Sequence, residues 1–129
     1  MYLKFIKKYC LLAVLLLFTA AFTNCRRTND NNPALYGKWT GKEWLVFGKP
    51  AGRDAARVFF EFTADGNYSA GFGDQTENGS WRTDKDKLYT TAQNRKEIMV
   101  KILKLDAQTL LFEMNRSGRQ ETLELTKKP

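Results

Sequence analysis

From residue 57 onward the chain alternates. Val58, Phe60 and Phe62 share one face of an extended segment, and Tyr68, Ala70 and Phe72 share one face of the next. Ile98, Val100 and Ile102 alternate with Glu97, Met99 and Lys101, and Leu110, Phe112 and Met114 with Leu111, Glu113 and Asn115. Leu123 and Leu125 alternate with Thr122, Glu124 and Thr126. A period of two with one apolar face marks an antiparallel strand buried on one side. After Ile102 the apolar phase slips to Leu103 and Leu105, which predicts a bulge or bend. Turn chemistry separates the runs: Asp65-Gly66, the longer Gly73-Asp74-Gln75-Thr76, Asp84 to Lys87, Gln93 to Arg95, Asp106 to Gln108, and Asn115 to Gly118. The pattern predicts eight strands, near 36–47, 57–63, 67–73, 78–83, 87–92, 96–105, 108–115 and 119–126. The longest connection, 48–56, reads as a loop with room for one helical turn. No amphipathic helical period and no internal repeat appears in this region. Short strands joined by tight turns leave exposed edges unless the sheet closes. The expectation is therefore an all-β, single antiparallel up-and-down eight-stranded barrel, its interior filled by side chains or holding one small ligand.

The N-terminal region follows a different pattern. Lys4, Lys7 and Lys8 precede an apolar run from Cys10 to Phe22, and no charge follows until Arg26. A basic segment before a short apolar stretch is the form of a cleaved secretory signal, and the stretch is at the short limit for a membrane span. Phe22-Thr23-Asn24-Cys25 resembles the lipobox of bacterial lipoproteins, in the looser form found in the Bacteroidetes. That resemblance implies a signal peptide over 1–24, acylation of Cys25, and a lipid-anchored protein of the cell envelope, at the outer membrane. The polar run from Arg26 to Pro33 reads as a tether, with Cys25 part of a 25–33 linker ahead of a domain at 34–129. Cys10 then leaves with the signal and Cys25 carries lipid, so neither takes part in redox chemistry.

Within the domain, Gly37-Lys38-Trp39 opens the first strand. Val58-Phe59-Phe60-Glu61-Phe62 leads through Asp65-Gly66-Asn67-Tyr68 to Asn78-Gly79-Ser80-Trp81. This order resembles the lipocalin-like domains of Bacteroidetes lipoproteins, over about residues 34–127. The resemblance implies a lipocalin-like barrel with Trp39 packed across its closed end and an Arg near the last strand stacked on it, for which Arg116 and Arg119 are the candidates. It also implies non-enzymatic binding of a small hydrophobic or amphipathic ligand in or at the mouth of the barrel. The candidate interior is Trp39, Phe60, Phe62, Tyr68, Phe72, Trp81, Ile98, Val100 and Phe112. The alternative is a barrel filled by its own aromatics, serving as an interaction or envelope-assembly module with a protein partner. Trp44 and Phe59 fall on faces opposite Trp39 and Phe60 and could form a rim, an outer patch or a partner surface. Glu43 shares the phase of Trp39; it points inward, toward an Arg such as Arg57 or Arg82, unless a bulge turns it out.

Composition narrows the chemistry. The 129 residues include no His, which removes Ser-His-Asp triads, Cys-His dyads and His-ligated metals. Asp84 and Asp86 are close in sequence, but turns favour Asp for local backbone bonding, and two exposed carboxylates make neither a glycosidase pair nor a calcium loop. The three Asn-x-Ser triplets, at Asn67, Asn78 and Asn115, read as turn chemistry. Three of the 21 basic residues precede Cys25 and none of the 14 acidic ones do, so the net charge of +7 falls to +4 in the processed chain. That charge is interleaved with acids and does not suggest a nucleic-acid partner. No cofactor and no metal are expected.

Overall fold

The computed structural model describes residues 31–129; the signal-like segment and Cys25 lie outside the described residues. The alternating runs become β1 (Gly37–Val46), β2 (Lys49–Pro50), β3 (Val58–Phe62), β4 (Asn67–Phe72) and β5 (Gln75–Asp84). They continue as β6 (Lys87–Ala92), β7 (Ile98–Leu105), β8 (Thr109–Arg116) and β9 (Arg119–Lys127). From β3 to β9 each strand pairs antiparallel with the next, β1 pairs with β3, and β1 pairs again with β9. This is the closed eight-stranded up-and-down barrel that the alternation predicts, with lipocalin-like architecture.

Two details depart from expectation. The 48–56 connection is not all loop: Lys49–Pro50 pairs with the end of β1 as the two-residue β2, and a 3-10 turn at Ala55–Arg57 follows. The turn after β4 shrinks to Gly73-Asp74, because Gln75 and Thr76 pair with Phe72 and Gly71. Gly73 adopts φ 66°, the left-handed conformation that a tight reversal needs and glycine accepts without strain. The bulge expected after Ile102 is present as a register shift between Ile102 and Lys104.

The barrel has two distinct ends. At one lie the turns at 63–66, 85–86 and 106–108 and the last strand's C-terminus. The 3-10 turn Pro33–Leu35 folds across this end and buries Leu35 completely. Trp39, Phe62, Trp81, Leu88, Leu110, Phe112 and Leu125 are buried here and along the barrel interior. Phe62 lies 5.1 Å from Trp81 and 5.8 Å from Phe60, centroid to centroid, and Phe60 lies 5.7 Å edge-on to Phe112. Aromatic rings of this size fill an eight-stranded lumen. Polar groups at this end are satisfied. Trp39 Nε1 donates to the Leu35 carbonyl at 2.9 Å, and Trp81 Nε1 to the Thr63 carbonyl at 3.0 Å. Asn31 and Asn32, read with the tether from sequence, bond to β5. Asn31 Nδ2 donates to the Trp81 carbonyl, the Thr83 N–H donates to Asn31 Oδ1, and the Asn32 N–H donates to Thr83 Oγ1.

At the other end the strands splay. β3 pairs with β1 only from Gly37 to Thr40, and β6 with β7 only from Lys87 to Thr90. The connections 51–57 and 93–97 cover the two gaps.

Candidate functional site at the barrel mouth

A cavity of about 790 Å³ opens between the splayed strands, lined at its apolar side by Trp44, Val58, Tyr68, Phe72, Ala92 and Ile98. That volume falls within the range of small-ligand pockets. Phe60 joins the cavity's lining to the aromatic plug: it packs 5.6 Å edge-on to Phe72 and stacks on Phe62.

A bulge places Trp44 here. The β1–β9 register shifts between Gly41 and Glu43, and every side chain beyond it changes face. Glu43 becomes exposed, and Trp44, expected on the outer face, is 8% exposed and lines the cavity. The outward bulge was the alternative reading of Glu43; it makes no interior pair with Arg57 or Arg82. Gly41 is required at the same point. A Cβ there would lie 2.0 Å from the Ala55 carbonyl oxygen, so only glycine lets the Ala55–Arg57 turn dock on β1. That docking sets the position of Arg53, Asp54 and Arg57 at the rim.

The rim is rich in cations. Arg53, Arg57, Arg95, Lys96 and Arg116 line the cavity against two acids, Asp54 and Glu77. The Arg53 guanidinium carbon sits 4.8 Å from the centre of the Trp44 ring. Arg57 pairs with Asp74, and Arg95 approaches Glu77 at 3.9 Å. Asp54 accepts from the Ala56 N–H and caps its turn. Across the β8–β9 turn, Arg116 and Arg119 reach the Glu121 carboxylate at 3.7 and 3.6 Å. Glu121 continues the inward phase of Leu123 and Leu125 and is only 1% exposed. Among the described residues, Trp44 Nε1 and Glu121 Oε2 are buried without a hydrogen-bond partner. The Tyr68 hydroxyl donates to Glu77 Oε1 at 3.2 Å, and burial, reinforced by the Glu77 charge, pushes its pKa up to about 12.

The candidate interior residues divide between the two ends. Tyr68, Phe72 and Ile98 line the cavity. Phe72 and Ile98 stand at its edge, 36% and 58% exposed, because β4 and β7 reach the rim there. Trp39, Phe62, Trp81 and Phe112 are core and are not among the lining residues; Phe60 and Val100 pack against that core. The Arg expected over Trp39 is a Lys. Lys127 Nζ lies 4.7 Å from the Trp39 ring centre and donates to the Tyr36 carbonyl, whereas Arg116 and Arg119 serve the opposite end. The outer patch considered for Trp44 and Phe59 does not form. Trp44 is inside, and Phe59 lies across Gly71 with Lys38 Nζ 4.7 Å above its ring. The exposed apolar side chains of β7 are Ile98, Met99 and Leu103. Asp86 pairs loosely with Lys101 at 4.0 Å, and among the described residues no cluster of three His, Cys, Asp or Glu is placed to hold a metal.

Sequence reading missed the rim cations and Glu121. For Glu121 a signal existed: it keeps the phase of two buried leucines, with Arg119 in the same phase and Arg116 across a tight turn. Arg53, Arg57, Arg95 and Lys96 sit in connections, which carry no periodicity to read.

Two solved structures share the fold. A lipocalin-like protein from Bacteroides uniformis ATCC 8492 superposes with a TM-score of 0.58 at 18% identity, covering 74% of this chain and 99% of its own. An uncharacterized protein from Bacteroides eggerthii DSM 20697 gives a TM-score of 0.56 at 15% identity, covering 73% and 99%. No family model and no curated protein matches the chain. The shared property is a lipocalin-like β-barrel.

Proposed function

We propose that this lipocalin-like barrel is a non-enzymatic binding protein that holds a small amphipathic ligand at its mouth. The observation that carries the reading is the contrast in packing. One end is solid with aromatics, and the other holds an open cavity of about 790 Å³ with an apolar side and a polar rim. The chain has no His, and Glu77 and Glu121 are each engaged by a hydroxyl or by guanidinium groups, so a general acid set apart from a base has no support.

The reading extends to the cell envelope. Cys25 is the proposed acylation site, with the outer membrane as the proposed location. Two or more acyl chains, each CH₂ contributing about 0.8 kcal/mol, give stable anchoring. The chain enters the barrel at its sealed end, where Asn31 bonds to β5. The few residues from Cys25 to Asn31 reach at most about 25 Å. An anchor at Cys25 would therefore keep the sealed end within about 25 Å of the membrane.

Native mass spectrometry of the protein released from its own envelope tests the ligand. A retained small molecule, lost on Phe72→Arg substitution at the mouth, is the expected result; a ligand-free mass that accepts no amphipathic molecule contradicts the reading. Palmitate labelling of wild type and Cys25→Ala tests the anchor separately, and equal labelling contradicts it.

A further inference from the structure

We infer that the mouth is built for an organic oxyanion: a carboxylate-type headgroup on a short apolar body. This rests on the ligand-binding reading and names the ligand's chemical class. Of the charged side chains lining the cavity, five are cationic and two acidic, and two of the cations, Arg57 and Arg116, also pair with Asp74 and Glu121 behind the lining. The acids are occupied. Asp54 caps its own turn, and Glu77 accepts from Tyr68 and faces Arg95. Among the described residues Arg53 and Lys96 have no carboxylate partner; Arg53 rests on the Trp44 ring. Guanidinium groups match the geometry of a carboxylate with paired N–H donors.

An independent observation points the same way. Trp44 is more than nine-tenths buried, it lines the cavity, and among the described residues its Nε1–H has no acceptor. An indole N–H can only donate, so what satisfies it must bring an acceptor. A buried unmet donor is costly, and a bound group that supplies the acceptor offsets that cost. A cationic ligand drawn to Glu121 is the rival. Glu121 already has Arg116 and Arg119 within 4 Å and is not among the lining residues. The apolar body must be short, because the cavity is confined to the mouth and Phe60, behind Phe72, already packs against the aromatic core.

The test uses the full chain in phosphatidylcholine nanodiscs, with empty nanodiscs as blank. Titration calorimetry compares octanoate, octanol and octyltrimethylammonium, which share a tail and differ in head charge. Octanoate is expected to bind about tenfold or more tightly than the other two, and to weaken as salt rises. Arg53→Gln and Arg116→Gln should each weaken octanoate by about tenfold, and Trp44→Phe, which keeps the ring and loses the N–H, by about fivefold. Lys42→Gln, on the outer face beside Glu124, should leave it unchanged. Arg53 makes no ion pair, so its variant serves even if Arg116→Gln folds poorly. Octanol binding as tightly as octanoate overturns the oxyanion and leaves the ligand-binding reading standing. Preference for the cation also overturns it, as does octanoate binding that ignores Arg53 and Trp44. Binding of none of the three overturns both readings together.

Discussion

Trp39 and Trp44 lie on the same strand and are treated in opposite ways. At the sealed end Trp39 is fully buried, its N–H bonds to Leu35, and Lys127 covers its ring. At the mouth Trp44 is nearly as buried, its N–H bonds to nothing, and Arg53 covers its ring. The rest of each end follows suit. The sealed end has stacked aromatics and capped turns, whereas the mouth has splayed strands, a bulge and a buried carboxylate between two arginines. A fold keeps an unmet donor and a buried charge where something other than stability selects them. One end maintains the barrel, and the other spends some of that stability on a site.

If that division holds, truncation should cost very different amounts at the two ends. Phe62→Ala removes a ring that touches Phe60, Tyr68 and Trp81, and should cost about 3–5 kcal/mol by denaturant unfolding. Phe72→Ala, at the exposed rim, should cost about 1 kcal/mol or less. Equal losses would erase the distinction. Gly41→Ala should cost about 1–3 kcal/mol, because the added methyl meets the Ala55 carbonyl oxygen at 2.0 Å and must push the 51–57 connection away. A crystal structure of this variant should show Arg53 and Arg57 displaced while the sealed end is unchanged.

Glu121→Leu sharpens the contrast from the other side. An apolar residue of similar volume in place of a buried, imperfectly bonded carboxylate should change stability by about 1 kcal/mol or less, or raise it. A loss near that of Phe62→Ala would make the charge cluster structural. A further effect is in alkali. The pKa of Tyr68 in the fold, about 12, lies above the ordinary value of 10, so the fold favours the neutral phenol. The associated stability is complete below pH 10 and is lost as pH rises toward 12. Tyr68→Phe should flatten this decline in a pH series of thermal unfolding, and an unchanged slope would place its cause elsewhere.

The sealed end was legible in the sequence because alternation repeats, and repetition survives one local error. Val58-Phe60-Phe62 and Leu110-Phe112-Met114 placed the plug without reference to any neighbour. The mouth was illegible for a local reason. One bulge after Gly41 exchanged Glu43 and Trp44: the bulge was foreseen as the alternative for Glu43, but parity counted through it left Trp44 on the face opposite Trp39. Arg53, Arg57, Arg95 and Lys96 lie in connections, where no period exists, and only the closed barrel brings them to Arg116 at the end of β8. The Trp39 partner was misassigned because the order of residues near the last strand does not say which end each reaches; the β1–β9 register puts Lys127 beside Trp39.

The division between the two ends is tested most directly by fluorine NMR of the full chain labelled with 5-fluorotryptophan. The chain has three tryptophans, so each end carries its own reporter: Trp39 and Trp81 for the plug, Trp44 for the mouth. With assignments from Trp-to-Phe variants, octanoate titration should move the Trp44 resonance and leave those of Trp39 and Trp81 in place. Movement of Trp39 or Trp81 to the same extent, or of none of the three, would contradict the account.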